Sequence, residues 1–368
     1  MQSSPTPGSS AWWQQQSGQP QGPAAPAWAT ATPAQTTAPT APAGLQWWER
    51  SKAPLGPSLT AAPVATAPTR PLDVRTLLHP SEPSRLALAL SVSLLVFVVY
   101  GVGLAATGGS IELIGLLLAL VALGASIWLS LQIARSRLLG GAVRVSDASL
   151  PELQAVFNQV RARLDYHKDV DVYVADKVNG GSAMTIYLGT RIIMLEGGLV
   201  AELLEEGHLA ELTYLIGRHI GQLKARHERL QWILIVISLV DSLKFLQFFL
   251  APYFRATAKS GDQIGAACCG DIQATVWMMN RLLVGKDLGP RVDIKGVLGQ
   301  AVIVRSRILP RLAQMFQNMP HATNRYLNLL AFFARTAPDQ INAWRATLDP
   351  ATAGRLAAVL DTAPYRNW

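Results

Sequence analysis

Hydrophobic and polar positions divide this chain into three regimes. Residues 86–106, LALALSVSLLVFVVYGVGLAA, hold no charged side chain. At the helical rise such a run matches the thickness of a bilayer core. A short turn, TGGSIE, follows, and residues 113–133, LIGLLLALVALGASIWLSLQI, repeat the pattern with Trp128 placed for an interface. Two uncharged runs of this length predict a transmembrane hairpin over 81–137 and argue against a soluble buried one. From about residue 145 the periods shorten. VSDASLPELQAVFNQVRARL reads as a capped helix, DVDVYVAD as a strand, and TIYLGTRIIML as one or two more strands. GGLVAELL and LAELTYLIGRHIGQLKARHERL have apolar residues at helical spacing. Further helices are expected around 262–285, 296–317 and 322–335, and DPATAGRLAAVLD reads as a capped final helix in a tail over 336–368.

One stretch stays open on pattern alone. Residues 230–254, LQWILIVISLVDSLKFLQFFLAPYF, are strongly apolar, but Asp241 and Lys244 interrupt them three apart on one helical face. A span with a paired charge, a hairpin dipping into one leaflet and a core helix all fit, with membrane contact favoured.

Composition explains the ends. Residues 1–80 hold 14 of the 23 prolines and no Asp, Glu, Lys or Arg before Glu49. Such a segment buries too little apolar surface to offset chain entropy, so a disordered tail is expected. Five of the ten tryptophans lie in it, including the pairs Trp12, Trp13 and Trp47, Trp48. They read either as incidental aromatics or as short motifs that dock on a partner. No basic stretch followed by an apolar core opens the chain, so no cleavable signal peptide is expected.

The net charge is +8 with only 15% charged residues. No basic-aromatic motif accompanies that charge, so a nucleic-acid partner is not expected. Arg70, Arg75 and Arg85 precede the first apolar run, and Arg135, Arg137 and Arg144 follow the second, while the turn carries Glu112. That asymmetry places the tail and the globular part together in the cytoplasm, on the inner membrane of the cell. The two cysteines, Cys268 and Cys269, are adjacent, and neighbours rarely meet disulfide geometry. A reducing compartment is the simplest reading.

The order of features in the globular part resembles the HtpX-type and CAAX-prenyl-protease-type membrane zinc metallopeptidases, metallopeptidase family 48. Asn179, Gly198, Leu199, Glu211, Leu212, Gly221, Arg226 and His227 stand where that pattern has its characteristic residues. AKSGDQIGA (258–266) occupies the place of ExxxD, and MPHATNR, with Pro320 and Arg325, that of an HP…R element. The likeness covers roughly residues 145–335 and the preceding hairpin in outline. It implies a mainly α fold with a small β-sheet, an α+β protease-like domain of the metzincin or gluzincin kind over 138–335, behind the membrane hairpin.

Departures from the pattern bear on function. HExxH places two histidines one turn apart on one zinc ion, with the Glu activating a metal-bound water. Here the first His is Arg218, the Glu is His219 and the second His is Gln222, while the third ligand position is Ala258. Arg remains protonated and repels a dication, Gln is a poor zinc ligand and Ala is none. His208, His219 and His227 do not converge on one point of a helix and read as surface or capping side chains. No zinc, no other cofactor and no catalytic residue are therefore expected.

The retained Asp262 would, by the family pattern, face Arg218, so a structural ion pair between the two is expected where the metal would sit. The resulting expectation is a membrane-anchored, inactive metallopeptidase homologue that binds, scaffolds or regulates. Its partners would be the bilayer and another membrane or cytoplasmic protein, with no small-molecule substrate. Asn179 and the strand after it would line a peptide groove. The alternative is an active membrane metalloendopeptidase using unusual ligands, which would need zinc.

Overall fold

A computed structural model describes residues 71–362, apart from 108–109, 179–180, 188–189, 228–244, 286 and 316. The tryptophan pairs at 12–13 and 47–48, Asn179, and the Asp241 and Lys244 pair lie outside the described residues. The described chain is mainly helical with one four-stranded sheet.

Two long helices come first, α1 (Glu82–Thr107) and α2 (Ser110–Gly141). Leu94, Leu95, Val99 and Val102 of α1 and Leu117, Leu118 and Val121 of α2 are each about two-thirds exposed. Among the described residues one helix, Glu82–Gly103, is long and apolar enough to cross a membrane.

The sheet has the order β1 (Val143–Arg144), β2 (Asp171–Ala175), β4 (Thr190–Glu196), β3 (Ser182–Tyr187). β2 and β4 run parallel, with Val172 opposite Ile193, while β3 and β4 form an antiparallel hairpin with Met184 opposite Ile193. Among the described residues β3 therefore pairs on one side only, with α2 passing near it. Alternation works as expected for a covered sheet: Ile193 and Leu195 of β4 are buried in the core with Val172.

Helices α4 (Gly197–Glu205) and α5 (Leu209–Lys224) pack on the sheet, and α3 (Pro151–Arg163) packs on α5. Helix α5 runs through the centre. Leu212, Leu215, Ile216, Ile220 and Leu223 repeat at three and four residues and all are buried, as are the positions between them from Glu211 to Gly221.

The expected helix at 262–285 is two helices, and the first begins inside the apolar stretch: α6 (Leu246–Cys269) and α7 (Ile272–Val284). Gly270 at φ +72° ends α6 in the left-handed region that glycine tolerates, and Asp271 caps α7 by accepting from the N–H groups of Gln273 and Ala274. The expected helix at 296–317 is also two, α8 (Ile294–Ser306) and α9 (Ile308–Met315). Arg307 between them is extended, and Pro310, which cannot donate within a helix, sits in the first turn of α9. α10 (Ala322–Thr336) matches its expected range closely. The final helices α11 (Pro338–Ala346) and α12 (Pro350–Leu360) are not a loose tail, because Ile341 and Leu356 are buried in the main core.

Candidate functional site

Helices α5 and α6 form the most extensively packed helix pair. Each carries two glycines four apart, Gly217 and Gly221 on α5, Gly261 and Gly265 on α6. A Cβ on Gly265 would stand 2.7 Å from the Tyr214 carbonyl oxygen, and one on Gly217 would stand 2.7 Å from Cys268 Cβ. Only hydrogen fits at such a crossing, so the backbones approach closely. The residue after the first glycine of each helix is Arg218 on α5 and Asp262 on α6. The crossing brings them together in the core.

Asp262 is fully buried, and Arg218 Nε lies 3.0 Å from its Oδ1. The approach is an ion pair too oblique for a hydrogen bond. A second guanidinium makes the better bond. Arg325, from α10, donates through Nε to Oδ2 at 2.8 Å and through Nη2 to Oδ1 at 2.8 Å, a two-pronged fork. The Tyr214 hydroxyl donates to Oδ1 at 3.4 Å.

The expectation of a pair is thus enlarged to a trio. One carboxylate serves two buried guanidiniums, and three helices are tied at one point. Burial and the Arg325 charge pull the Arg218 pKa below its ordinary value. Burial also opposes the charge on Arg325, but the Asp262 carboxylate outweighs it and the pKa rises. Burial and Asp262 push the Tyr214 phenol well up, so it remains a neutral donor.

The other motif positions are turned to separate partners. His219 Nε2 is 2.9 Å from Ser182 Oγ at the start of edge strand β3. Burial, with Arg218 and Arg325 nearby, lowers its pKa to about 3, so the ring is neutral. Gln222 Nε2 donates to the Thr257 carbonyl at 3.5 Å. Ala258 is buried on α6 and offers no donor atom. A zinc ion held as in HExxH does not fit this set. Arg218 is paired with Asp262, and among the described residues no three of His, Cys, Asp and Glu converge. Surface cavities of about 910, 410, 390 and 260 Å³ are lined by none of Arg218, His219, Gln222, Ala258 or Asp262.

Two histidines expected at the surface are inside. His219 and His227 are both buried. His208 precedes α5, pairs with Glu206 at 3.0 Å and Glu211 at 3.2 Å, and rests against Trp277. Its side chain makes no cap hydrogen bond. The surface reading failed for His219 because helix α5 is enclosed on nearly every side, which a helical wheel does not reveal.

His227 belongs to a second buried polar cluster that pattern reasoning missed. Its Nε2 is 2.8 Å from Oε1 of Glu82, at the start of α1. Ser260 Oγ on α6 donates to Glu82 Oε2 at 2.5 Å and accepts the His79 backbone N–H at 2.9 Å. The membership of Ser, His and Glu invites comparison with a hydrolase triad. Connectivity excludes it. The carboxylate stands between serine and histidine, so the imidazole does not reach the hydroxyl, and Ser260 is fully buried. The cluster fastens the foot of the apolar helix to α6 and to the end of α5. A lone Glu beside a long apolar run was its one sequence signal.

No protein-family model, curated protein or solved structure matches the chain.

Proposed function

We propose that this protein is a membrane-anchored, noncatalytic relative of the HtpX-type metallopeptidases, serving as a binding or scaffold protein. The observation that carries this reading is the Arg325–Asp262–Arg218 cluster. It occupies the point where the resembled pattern would hold its metal, and it joins α5, α6 and α10 as a metal would. A fixed ion cluster holds structure but has no open coordination position with which to activate water.

Binding then falls to surfaces. Among the described residues β3 is an edge strand with one unpaired side, the kind of edge that accepts an extended segment. The sequence places the tryptophan pairs on the tail as a second docking element. Helix α1 supplies the anchor, and α2 returns the chain, so that tail and domain share the cytoplasmic face of the inner membrane. Helix α6 supports membrane contact for the stretch ending at 254. Its first turns pack antiparallel to α1 through Leu246, Leu250 and Tyr253 against Ala89.

Purified full-length protein should contain no stoichiometric zinc and should leave an unfolded substrate protein intact. Elemental analysis and a cleavage assay check both. One equivalent of chelator-removable zinc, with proteolysis that tracks it, would overturn the reading. Crosslinking in native membranes then identifies the partner.

A further inference from the structure

Helices α4 and α5 are joined by a turn of Glu206, Gly207 and His208. Gly207 takes φ +73°, and the His208 backbone N–H donates to the Leu203 carbonyl at 2.8 Å, the closure that ends a helix on a left-handed glycine. The turn lays the imidazole against Trp277 of α7, with ring centres 4.5 Å apart. Arg281, one turn further along α7, covers the same indole, its guanidinium carbon 3.4 Å from the ring centre.

Three carboxylates attend these two bases. Glu211 Oε1, in the first turn of α5, lies 3.2 Å from His208 Nδ1. Glu206 Oε2 lies 3.0 Å from His208 Nε2 and 3.6 Å from Arg281 Nη2, so one oxygen is within ion-pair reach of both. Glu202 of α4 pairs with Arg281 Nη1. From the end of α6, Cys269 feels the Glu211 charge, but burial first of all pushes its thiol up to about 11, so it stays neutral.

A carboxylate at each ring nitrogen suits the imidazolium, which carries a proton on both. A neutral imidazole keeps one N–H and turns a lone pair on the other carboxylate. The two carboxylates are not equally free to leave. The Glu211 side chain is 8% exposed and sits where the α5 dipole favours negative charge. The Glu206 side chain is 47% exposed and has Arg281 within reach. Loss of the Nε2 proton to solvent therefore keeps the Nδ1–H on Glu211 and frees Glu206.

We infer that His208 is a proton-controlled switch that passes the Glu206 carboxylate between its own ring and Arg281. Protonated, His208 shares Glu206 with Arg281. Neutral, it releases Glu206, and Arg281 is held by Glu202 and Glu206 together. Arg281 lines the cavity of about 410 Å³ that also has Gly181, the residue before β3, and Gly285, the residue after α7, in its wall. The switch thus tightens or loosens that wall beside the start of β3. Imidazole is the side-chain group that changes charge between about pH 5 and pH 8. The device stands on these ion contacts and needs neither the membrane anchor nor the protease resemblance.

The test compares wild type with His208→Gln and Glu206→Gln in the detergent-solubilised full-length chain, by hydrogen exchange corrected for the intrinsic pH dependence of amides. In wild type, residues 277–285 should exchange on the order of two- to fivefold more slowly at about pH 8 than at about pH 5, the span of a partly exposed ion pair. His208→Gln, with no charge to lose, should abolish that difference and match wild type at about pH 8. A histidine with a purely structural role would shift exchange equally at both pH values, and that result would overturn the switch. Glu206→Gln, at an exposed position, carries the test if His208→Gln perturbs folding. It should abolish the pH difference in 277–285 while the pH-dependent fluorescence of Trp277, read against Trp277→Phe, persists, because His208 still titrates against the indole. A pH difference in exchange that survives in Glu206→Gln would show that Glu206 is not the group passed.

Discussion

Two buried carboxylates, Asp262 and Glu82, lie on either side of α6 and are satisfied in opposite ways. Asp262 sits between two guanidiniums, with a phenol as an added donor. Its partners are permanently charged, so the cluster carries excess positive charge under all ordinary conditions. Glu82 sits between an imidazole and a hydroxyl, and the hydroxyl also receives a backbone N–H. The first cluster joins three helices of the core. The second joins the core to the foot of an apolar helix. Cost differs accordingly: a carboxylate removed from between two arginines leaves like charges facing each other in a dry site, whereas a carboxylate removed from beside histidine and serine leaves an imidazole and a hydroxyl short of one hydrogen-bond partner each.

The sharpest break of that contrast is Asp262→Ala. It should destabilise the domain by about 3–5 kcal/mol in denaturant titration of the detergent-solubilised chain. From the sequence, Arg218→Leu with Asp262→Leu would be expected to recover much of the loss. The fork from Arg325 changes that expectation, since the double variant still buries an unpaired guanidinium. Recovery should need Arg325→Leu as well. Full recovery in the double variant alone would show that Arg325 does not depend on Asp262.

Acid reaches both regions through a neutral histidine. Burial, with cations nearby, holds His219 at about 3 beside the first cluster and His79 at about 3 beside the second. For His79 the opposing charges are Lys259, Arg85 and Arg335, and its Nδ1 accepts from the Ser81 N–H at 3.2 Å. An unfolded histidine takes up its proton near pH 6.5, and these two do not until about 3. The unfolded chain therefore binds more protons in that window, and stability falls as pH drops through it. Each histidine should cost about 2 kcal/mol between pH 7 and pH 5. His219→Gln should flatten the pH dependence by that amount, and an unchanged slope would count against a neutral His219.

The smallest effect belongs to the second carboxylate. Glu82→Gln keeps an acceptor for one partner and should cost about 1 kcal/mol, well under the loss for Asp262→Ala. A loss as large as that for Asp262 would erase the contrast between the clusters.

The candidate site was legible in part because its pieces lie in short ordered segments. Arg218, His219 and Gln222 are read off one helix and Ala258 and Asp262 off another, and the facing of Arg218 and Asp262 was expected from the resemblance alone. The spacing of Gly217, Gly221, Gly261 and Gly265 was also on the page, a signal for close helix crossing that periodicity of apolar residues conceals. Arg325 stood in its expected element, yet nothing local said that its fork would reach Asp262, 63 residues away. The Glu82 cluster was harder still. Its partners are 145 and 178 residues distant, and no repeat or motif joins them.

By itself, the sequence determined the mainly helical character, the strands of the small sheet and the long apolar helix near residues 86–106. These follow from local rules: side-chain period and charge-free length. Only the tertiary structure decided that Asp262 serves two arginines, that His219 and His227 are buried, that α11 and α12 close the core, and that Arg85, Arg255 and Lys259 share one pocket. Those facts depend on how helices cross. The crossing is set by glycine contacts and cap geometry summed over the whole chain, and a one-dimensional pattern does not carry that sum.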